Sequence, residues 1–354
     1  MIKGPDKILN AGIIGFGLSG KVFHAPFLDV HPGFNLKKIV ERHHQHAKKV
    51  YPYIKVVNDI NDLIDDQEID LVVICTPNTL HYPIAKKCLI AGKHIVVEKP
   101  FTPTSKEADE LIKIADSNNL KLFVYHNRRW DNDFLTIKTM LANELLGNIS
   151  EYEVHFDRYN PEIIDGAWRD EKKPGGGILF DLGSHLIDQA LQLFGFPDSI
   201  SADIRIQRKG GKVDDYFDIK LHYPAFNATL KAGMLVKEPG PRFILHGSKG
   251  SFLKHGIDPQ ENALKNGLTP DAENWGEEDR KQWGYLTIDD NELQQDGRIQ
   301  TLPGCYQNFY NNVYDVLAKG AEMAIKPGEA RDVIRIIEIA FESALQNKSI
   351  SFNQ

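Results

Sequence analysis

Glu98-Lys99-Pro100 closes an apolar run of this chain, and Gly175-Gly176-Gly177 leads into Asp181 and His185, four residues apart. Far upstream stands Gly15-Phe16-Gly17-Leu18-Ser19-Gly20, just after the first apolar run. An ammonium such as Lys99 can polarise a carbonyl or, with a lowered pKa, accept a proton. An imidazole such as His185 moves protons near neutrality. A glycine-rich turn that opens a helix cradles a phosphate with its amides and dipole. Together these are the parts needed to move a proton off a hydroxyl beside a bound nucleotide. Each also has a plainer reading. Lys99 can be a surface lysine at a strand end. Asp181 can cap a helix, with His185 packed one turn on.

The glycine loop has the context that gives its pattern meaning, a strand before it and a helical pattern after it. Gly15 permits the tight turn, Gly17 lets the backbone approach a pyrophosphate, and Gly20 lets helix and strand pack closely, with Phe16 and Ser19 in the same loop. The next apolar run ends at Glu41-Arg42, Glu41 lying 41 − 20 = 21 residues past Gly20. An acid there would grip a ribose, and an arginine a 2′-phosphate; both are present. Arg42, His43, His44 and His46 make this stretch basic, which favours NADP and leaves NAD as the alternative. The histidines read equally as a solvated helix start. Thr76, Pro77, Asn78 and His81 lie on the loop after the run 70–75 and are expected to line the dinucleotide groove. Asn127 follows the run 121–125, where its amide can reach cofactor or substrate. Asp188, three residues past His185, reads as a structural helix contact, and Arg128 and Arg129 are open to ion pairing.

The chain of 354 residues is 42% hydrophobic, long enough for two cores. A net charge of −7 argues against nucleic acid or an anionic membrane as the main partner. No apolar stretch reaches the length of a membrane span, and the start does not resemble a signal peptide. Cys75, Cys88 and Cys305 lack metal-ligand spacing, so no metal is expected and the reading is of reduced thiols in a cytoplasmic protein. Residues 8–14, 35–40, 70–75, 94–98 and 121–125 read as strands buried on both faces, with helices at 79–91 and 105–118 among them. That is the rhythm of a parallel doubly wound sheet. After about residue 128 the texture changes. A helix at 133–145 precedes strands at 150–159, 199–207, 216–223, 227–236 and 242–245, with helices at 181–193 and 332–345. These suggest one large open, mainly antiparallel sheet. The polar stretch 256–284 reads as a surface excursion. The expected division is a dinucleotide-binding domain, 1–127, and a second α/β domain, 128–354.

The glycine loop, Thr76-Pro77-Asn78, His81, Ala91-Gly92-Lys93-His94, Glu98-Lys99-Pro100 and the segment 175–185, in this order, resemble the Gfo/Idh/MocA oxidoreductases. Gly17-Leu18-Ser19-Gly20 with Phe23-His24-Ala25-Pro26-Phe27, and Tyr125-His126-Asn127-Arg128-Arg129-Trp130-Asp131, are similar to the branch that contains NADP-dependent scyllo-inositol 2-dehydrogenase. The resemblance implies a Rossmann domain followed by an α/β domain whose open sheet makes a homo-oligomer. It implies reversible oxidation of a secondary alcohol on a cyclitol or sugar. Glu98 and Lys99 would then sit at the cofactor, with Lys99, Asp181 and His185 catalytic. Substrate would meet Lys99, Asn127, Asp181, His185 and the loop residues Trp168 and Arg169. An aldose or keto-sugar substrate is the alternative, and a non-catalytic dinucleotide-binding regulator is the alternative of another class.

Overall fold

The computed structural model describes residues 7–163, 170–290 and 293–352. By internal contacts the chain divides into two units. The first holds Met1–Asn127, Gln260–Trp275 and Cys305–Asp332; the second holds Arg128–Pro259, Gly276–Gly304 and Val333–Gln354. No helix among the described residues is long and apolar enough to cross a membrane.

The first unit is built on six parallel strands: β1 (Leu9–Ile14), β2 (Phe34–Val40), β3 (Lys55–Val57), β4 (Leu71–Ile74), β5 (His94–Val97) and β6 (Leu122–Val124), in spatial order β3-β2-β1-β4-β5-β6. This is the strand order of a Rossmann sheet, with its switch point between β1 and β4. All four residues of β4 and the last three of β5 are buried, as strands covered on both faces require. The helix Ser105–Ser117 starts at a capping box in which Thr104 and Glu107 satisfy each other's backbone amides. It packs through Ala108, Leu111 and Ala115. The helix Gln307–Lys319 belongs to this unit too and buries Phe309, Tyr310, Val313 and Tyr314. The strand β3 and the helix Gln307–Lys319 were not anticipated from the sequence.

The second unit carries nine strands: β7 (Ile149–His155), β8 (Ser199–Arg205), β9 (Tyr216–His222), β10 (Asn227–Gly233), β11 (Phe243–Gly247), β12 (Gly250–Lys254), β13 (Gly284–Asp290), β14 (Leu293–Ile299) and β15 (Ile350–Ser351). Their order is β14-β13-β12-β11-β7-β10-β9-β8-β15. Among the described residues only the β7–β10 pair of this sheet is parallel. Alternate residues, including Phe217, Ile219 and Leu221 on β9 and Ala228, Leu230 and Ala232 on β10, form the buried face.

Two expectations change. The polar stretch 256–284 is more than a surface excursion: it contains the helix Gln260–Lys265, and Asp258 and Gln260 are buried. The Gln260 amide carbonyl accepts from Trp275 Nε1 at 2.9 Å and from Tyr306 N at 2.7 Å, which ties this segment into the first unit. The helix read at 181–193 begins instead as one turn of π-helix, Leu179–Gly183, and continues as α-helix over Ser184–Phe194.

Candidate active site

In the first unit, the chain leaves β1 through the glycine loop and enters a π-helical turn, Gly20–His24. Gly15 has φ +97°, and a Cβ there would lie 2.8 Å from the Cys75 carbonyl oxygen. A Cβ on Gly20 would lie 2.2 Å from the Gly15 carbonyl oxygen, so both positions admit only glycine. Gly17 differs: nothing approaches within 4 Å of its Cβ position, which leaves its backbone open to a ligand. A cavity of about 870 Å³ lies here, lined by Gly15, Phe16 and Gly17, by Glu41 and Arg42 after β2, and by Thr76 and Pro77 after β4. His43, His44, His46 and Lys87 add basic groups to its wall. An open glycine cradle at the carboxyl ends of β1, β2 and β4, with Arg42 and Lys87 on the wall beside Glu41 and Asp59, fits a nicotinamide dinucleotide.

Not every expected contact is available for binding. Glu41 is buried, and its carboxylate accepts from His46 N at 3.2 Å and Ala47 N at 2.8 Å. It fastens the turn after β2, with Arg42 beside it on the cavity wall. His81 corrects a second expectation. It is fully buried, with Nδ1 2.9 Å from the Pro100 carbonyl and Nε2 2.9 Å from the Thr76 carbonyl. Burial lowers its imidazole pKa below the usual range. It therefore holds two loops together and does not face the groove. Asn78 is buried as well.

Glu98 is a joint between the glycine loop and the end of β5. Its carboxylate accepts from the Ser19 hydroxyl of the glycine loop, from His24 Nε2 at 2.9 Å and from Lys99 N at 2.9 Å. Burial opposes its ionisation, but His24, Lys99 and Ser19 outweigh that and hold its pKa down to about 2. His24 Nδ1 lies 2.6 Å from the Tyr310 hydroxyl. The glycine loop and the backbone at Lys99, just past β5, thus share one buried carboxylate. His24 belongs to Phe23-His24-Ala25-Pro26-Phe27, whose local sequence does not show this joint. Tyr310 had no local signal, being 286 residues away from its partner.

In the second unit, Asp181 and His185 are both buried. Asp181 lies in the first turn of the π-helical segment, whose N-cap is Ile178; its amide donates to the Gly177 carbonyl at 3.2 Å. His185 is the second residue of the following α-helix. One turn on, Arg129 clasps Asp188 through two hydrogen bonds of 2.9 and 2.6 Å, and Gln189 Nε2 donates to the Arg128 carbonyl at 2.9 Å. Arg128 pairs with Asp131 at 3.2 Å. These arginines and Asp188 are structural. Asn127, which belongs to the first unit, opens a short 3-10 turn and is buried. Trp168 and Arg169 lie outside the described residues.

The N-terminal part matches the family model described as the oxidoreductase family NAD-binding Rossmann fold over residues 9–126, and 138–352 match that family's C-terminal alpha/beta domain. The chain is 40% identical to scyllo-inositol 2-dehydrogenase (NADP(+)) IolW of Bacillus subtilis, covering 99% of this chain and 98% of that one. It is 42% identical to the uncharacterized oxidoreductase YdgJ of Escherichia coli, over 95% and 96% of the two chains. A crystal structure of an oxidoreductase from Bacillus cereus superposes with a TM-score of 0.89 at 36% identity, covering 98% of this chain and 99% of that one. With both family domains matched in order along the chain, this protein belongs to the Gfo/Idh/MocA family of NAD-binding oxidoreductases.

Proposed function

We propose that this protein is an NADP-dependent dehydrogenase that oxidises a secondary alcohol of a cyclitol, reversibly, with scyllo-inositol or a close ring polyol as substrate. The carrying observation is the open cavity at Gly17, with Arg42 at one end and Lys99 fixed by Glu98 at the neighbouring strand end. The similarity to an NADP-dependent scyllo-inositol 2-dehydrogenase supports the substrate class.

A bound nicotinamide supplies the hydride acceptor. Gly17 would present its backbone to the pyrophosphate, Gly15 makes the turn with its own amide donated to the Val40 carbonyl at 3.1 Å, and Arg42 would bind the 2′-phosphate. The Lys99 ammonium donates a hydrogen bond to the substrate oxygen and stabilises negative charge there as the carbonyl forms. His185 accepts the hydroxyl proton during oxidation and returns it during reduction. Asp181 hydrogen-bonds a neighbouring ring hydroxyl.

The chemistry is tested by following nicotinamide absorbance with a panel of cyclitols, aldoses and cyclohexanol. Lys99→Ala and His185→Asn should each lower kcat by roughly 10²–10⁴-fold with the dinucleotide Kd little changed. Near wild-type turnover in either variant removes that residue from the mechanism, and activity confined to aldoses moves the substrate class. The cofactor preference is tested separately by titrating NADP and NAD. Arg42→Ala should weaken NADP by about 1.5–3 kcal/mol and leave NAD within a few-fold. Equal wild-type affinity for the two rejects the preference.

A further inference from the structure

The segment that carries Asp181 and His185 rests on a side chain from elsewhere in the second unit. Asp214 immediately precedes Asp215 and β9, and its side chain is buried against residues 177–179. Its Oδ2 accepts from Leu179 N at 2.8 Å, the first amide of the π-helical turn. Its backbone carbonyl accepts from Ile178 N at 3.0 Å. Gly177 has φ +89°, and a Cβ on it would lie 1.9 Å from Asp214 Oδ1. The last glycine of the run is thus needed for its φ and because the Asp214 carboxylate occupies the space of a side chain. Asp215 is the next charge, and it is engaged by Arg208, whose Nε lies 3.0 Å away. Burial, with Asp215 acting the same way, pushes the Asp214 carboxyl up to about 6 despite its backbone hydrogen bonds. A carboxylate kept in so unfavourable a place needs a reason beyond packing.

We propose that Asp214 is a positioning residue for proton transfer: its carboxylate pins the entry of the π-helical turn and so sets the placement of Asp181 and His185. This rests on the assignment of His185 as the proton acceptor. A π-helical turn holds one more residue per turn than the α-helix it feeds, so its start sets the rotation of the side chains that follow. Removing the pin frees Leu179 N and the Gly177–Leu179 backbone to shift. A misplacement on the order of 1 Å can cost about 10²-fold in rate.

The test is kinetic and uses the full chain. Asp214→Ala should lower kcat on the order of 10–100-fold while the NADP Kd stays within about two-fold, because the dinucleotide cradle is in the other unit. Asp214→Asn retains one neutral acceptor for Leu179 N and should recover most of the rate. In a His185→Asn background, Asp214→Ala should cost nothing further in kcat, since there is no imidazole left to position. A general structural role would not make the loss depend on His185. If Asp214→Ala does not fold, Asp214→Asn carries the same cycle with a smaller, few-fold effect. The proposal is overturned if the Asp214 variants keep wild-type kcat while His185→Asn is inactive, or if their loss persists undiminished without His185. If His185→Asn itself keeps the wild-type rate, the proton-transfer assignment fails and the proposal falls with it.

Discussion

Glu98 and Asp214 are two buried carboxylates with opposite environments, and pH should separate them. For Glu98 the pKa is depressed to about 2, from an ordinary value near 4.5. Its ionised form is favoured by folding. That stability, on the order of 3 kcal/mol, is fully present above about pH 4.5 and is lost as pH falls toward 2. Glu98→Gln should therefore destabilise the protein by a few kcal/mol at neutral pH, with the deficit shrinking as both proteins are titrated into acid. Asp214 is raised to about 6 from about 3.8, so the folded state holds its proton more tightly than the unfolded chain. Its contribution works the other way: stability falls as pH rises from about 4 to 6, and above that range the cost is complete, again on the order of 3 kcal/mol. Asp214→Asn should raise the melting temperature at pH 8 and have little effect at pH 4. Denaturation followed by circular dichroism at several pH values reads both. An Asp214→Asn protein that is less stable at pH 8 would mean that the carboxylate is held by more than the Leu179 amide.

At the scale of elements, what could be read from the sequence followed from how each element is buried. The strands β4, β5 and β6 are short runs of mostly Val, Ile, Leu and Phe because both faces are covered, and β1 and β2 end in Ile13-Ile14 and Ile39-Val40; such runs stand out. The strand β3 has three residues, Lys55–Val57, too few for any period to show. The strand β14, with Gln294, Gln295, Asp296 and Arg298, is polar enough to pass for a loop. The site residues show the same split. The glycine loop, Lys99, Asp181 and His185 carry spacing that can be recognised locally. The parts that hold them do not, because Ser19–Glu98, His24–Tyr310 and Leu179–Asp214 are pairings between distant positions. Spacing also misled where a helix was assumed to be uniform. Two π-helical turns, Gly20–His24 and Leu179–Gly183, follow the two glycine runs, and neither is visible as a hydrophobic period.

For the whole molecule, the sequence invites a cut after residue 127, with an independent nucleotide-binding domain before it. The first unit is not continuous, however: it takes Gln260–Trp275 and Cys305–Asp332 from late in the chain. The helix Gln307–Lys319 supplies large side chains to its core. Phe309 lies 4.7 Å from Tyr125 between ring centroids, and Tyr310 lies 6.1 Å from Phe27 and 6.0 Å from Phe34. Tyr314 covers Gly33 so closely that a Cβ there would lie 2.2 Å from its ring. Burying a large apolar side chain contributes roughly 1.5–3 kcal/mol, and a domain's net stability is only about 5–15 kcal/mol. Removing Phe309, Tyr310 and Tyr314 together would consume most of that margin. It would also strip His24 of the Tyr310 hydroxyl beneath the Glu98 joint. A fragment of residues 1–127 should therefore be poorly soluble or loosely packed, with weak near-ultraviolet dichroism and no measurable NADP binding. Co-expression with a second fragment spanning 260–332 should restore a cooperative melt and dinucleotide binding. A 1–127 fragment that melts cooperatively and binds NADP like the full chain would show that the returning helix only covers a core already complete.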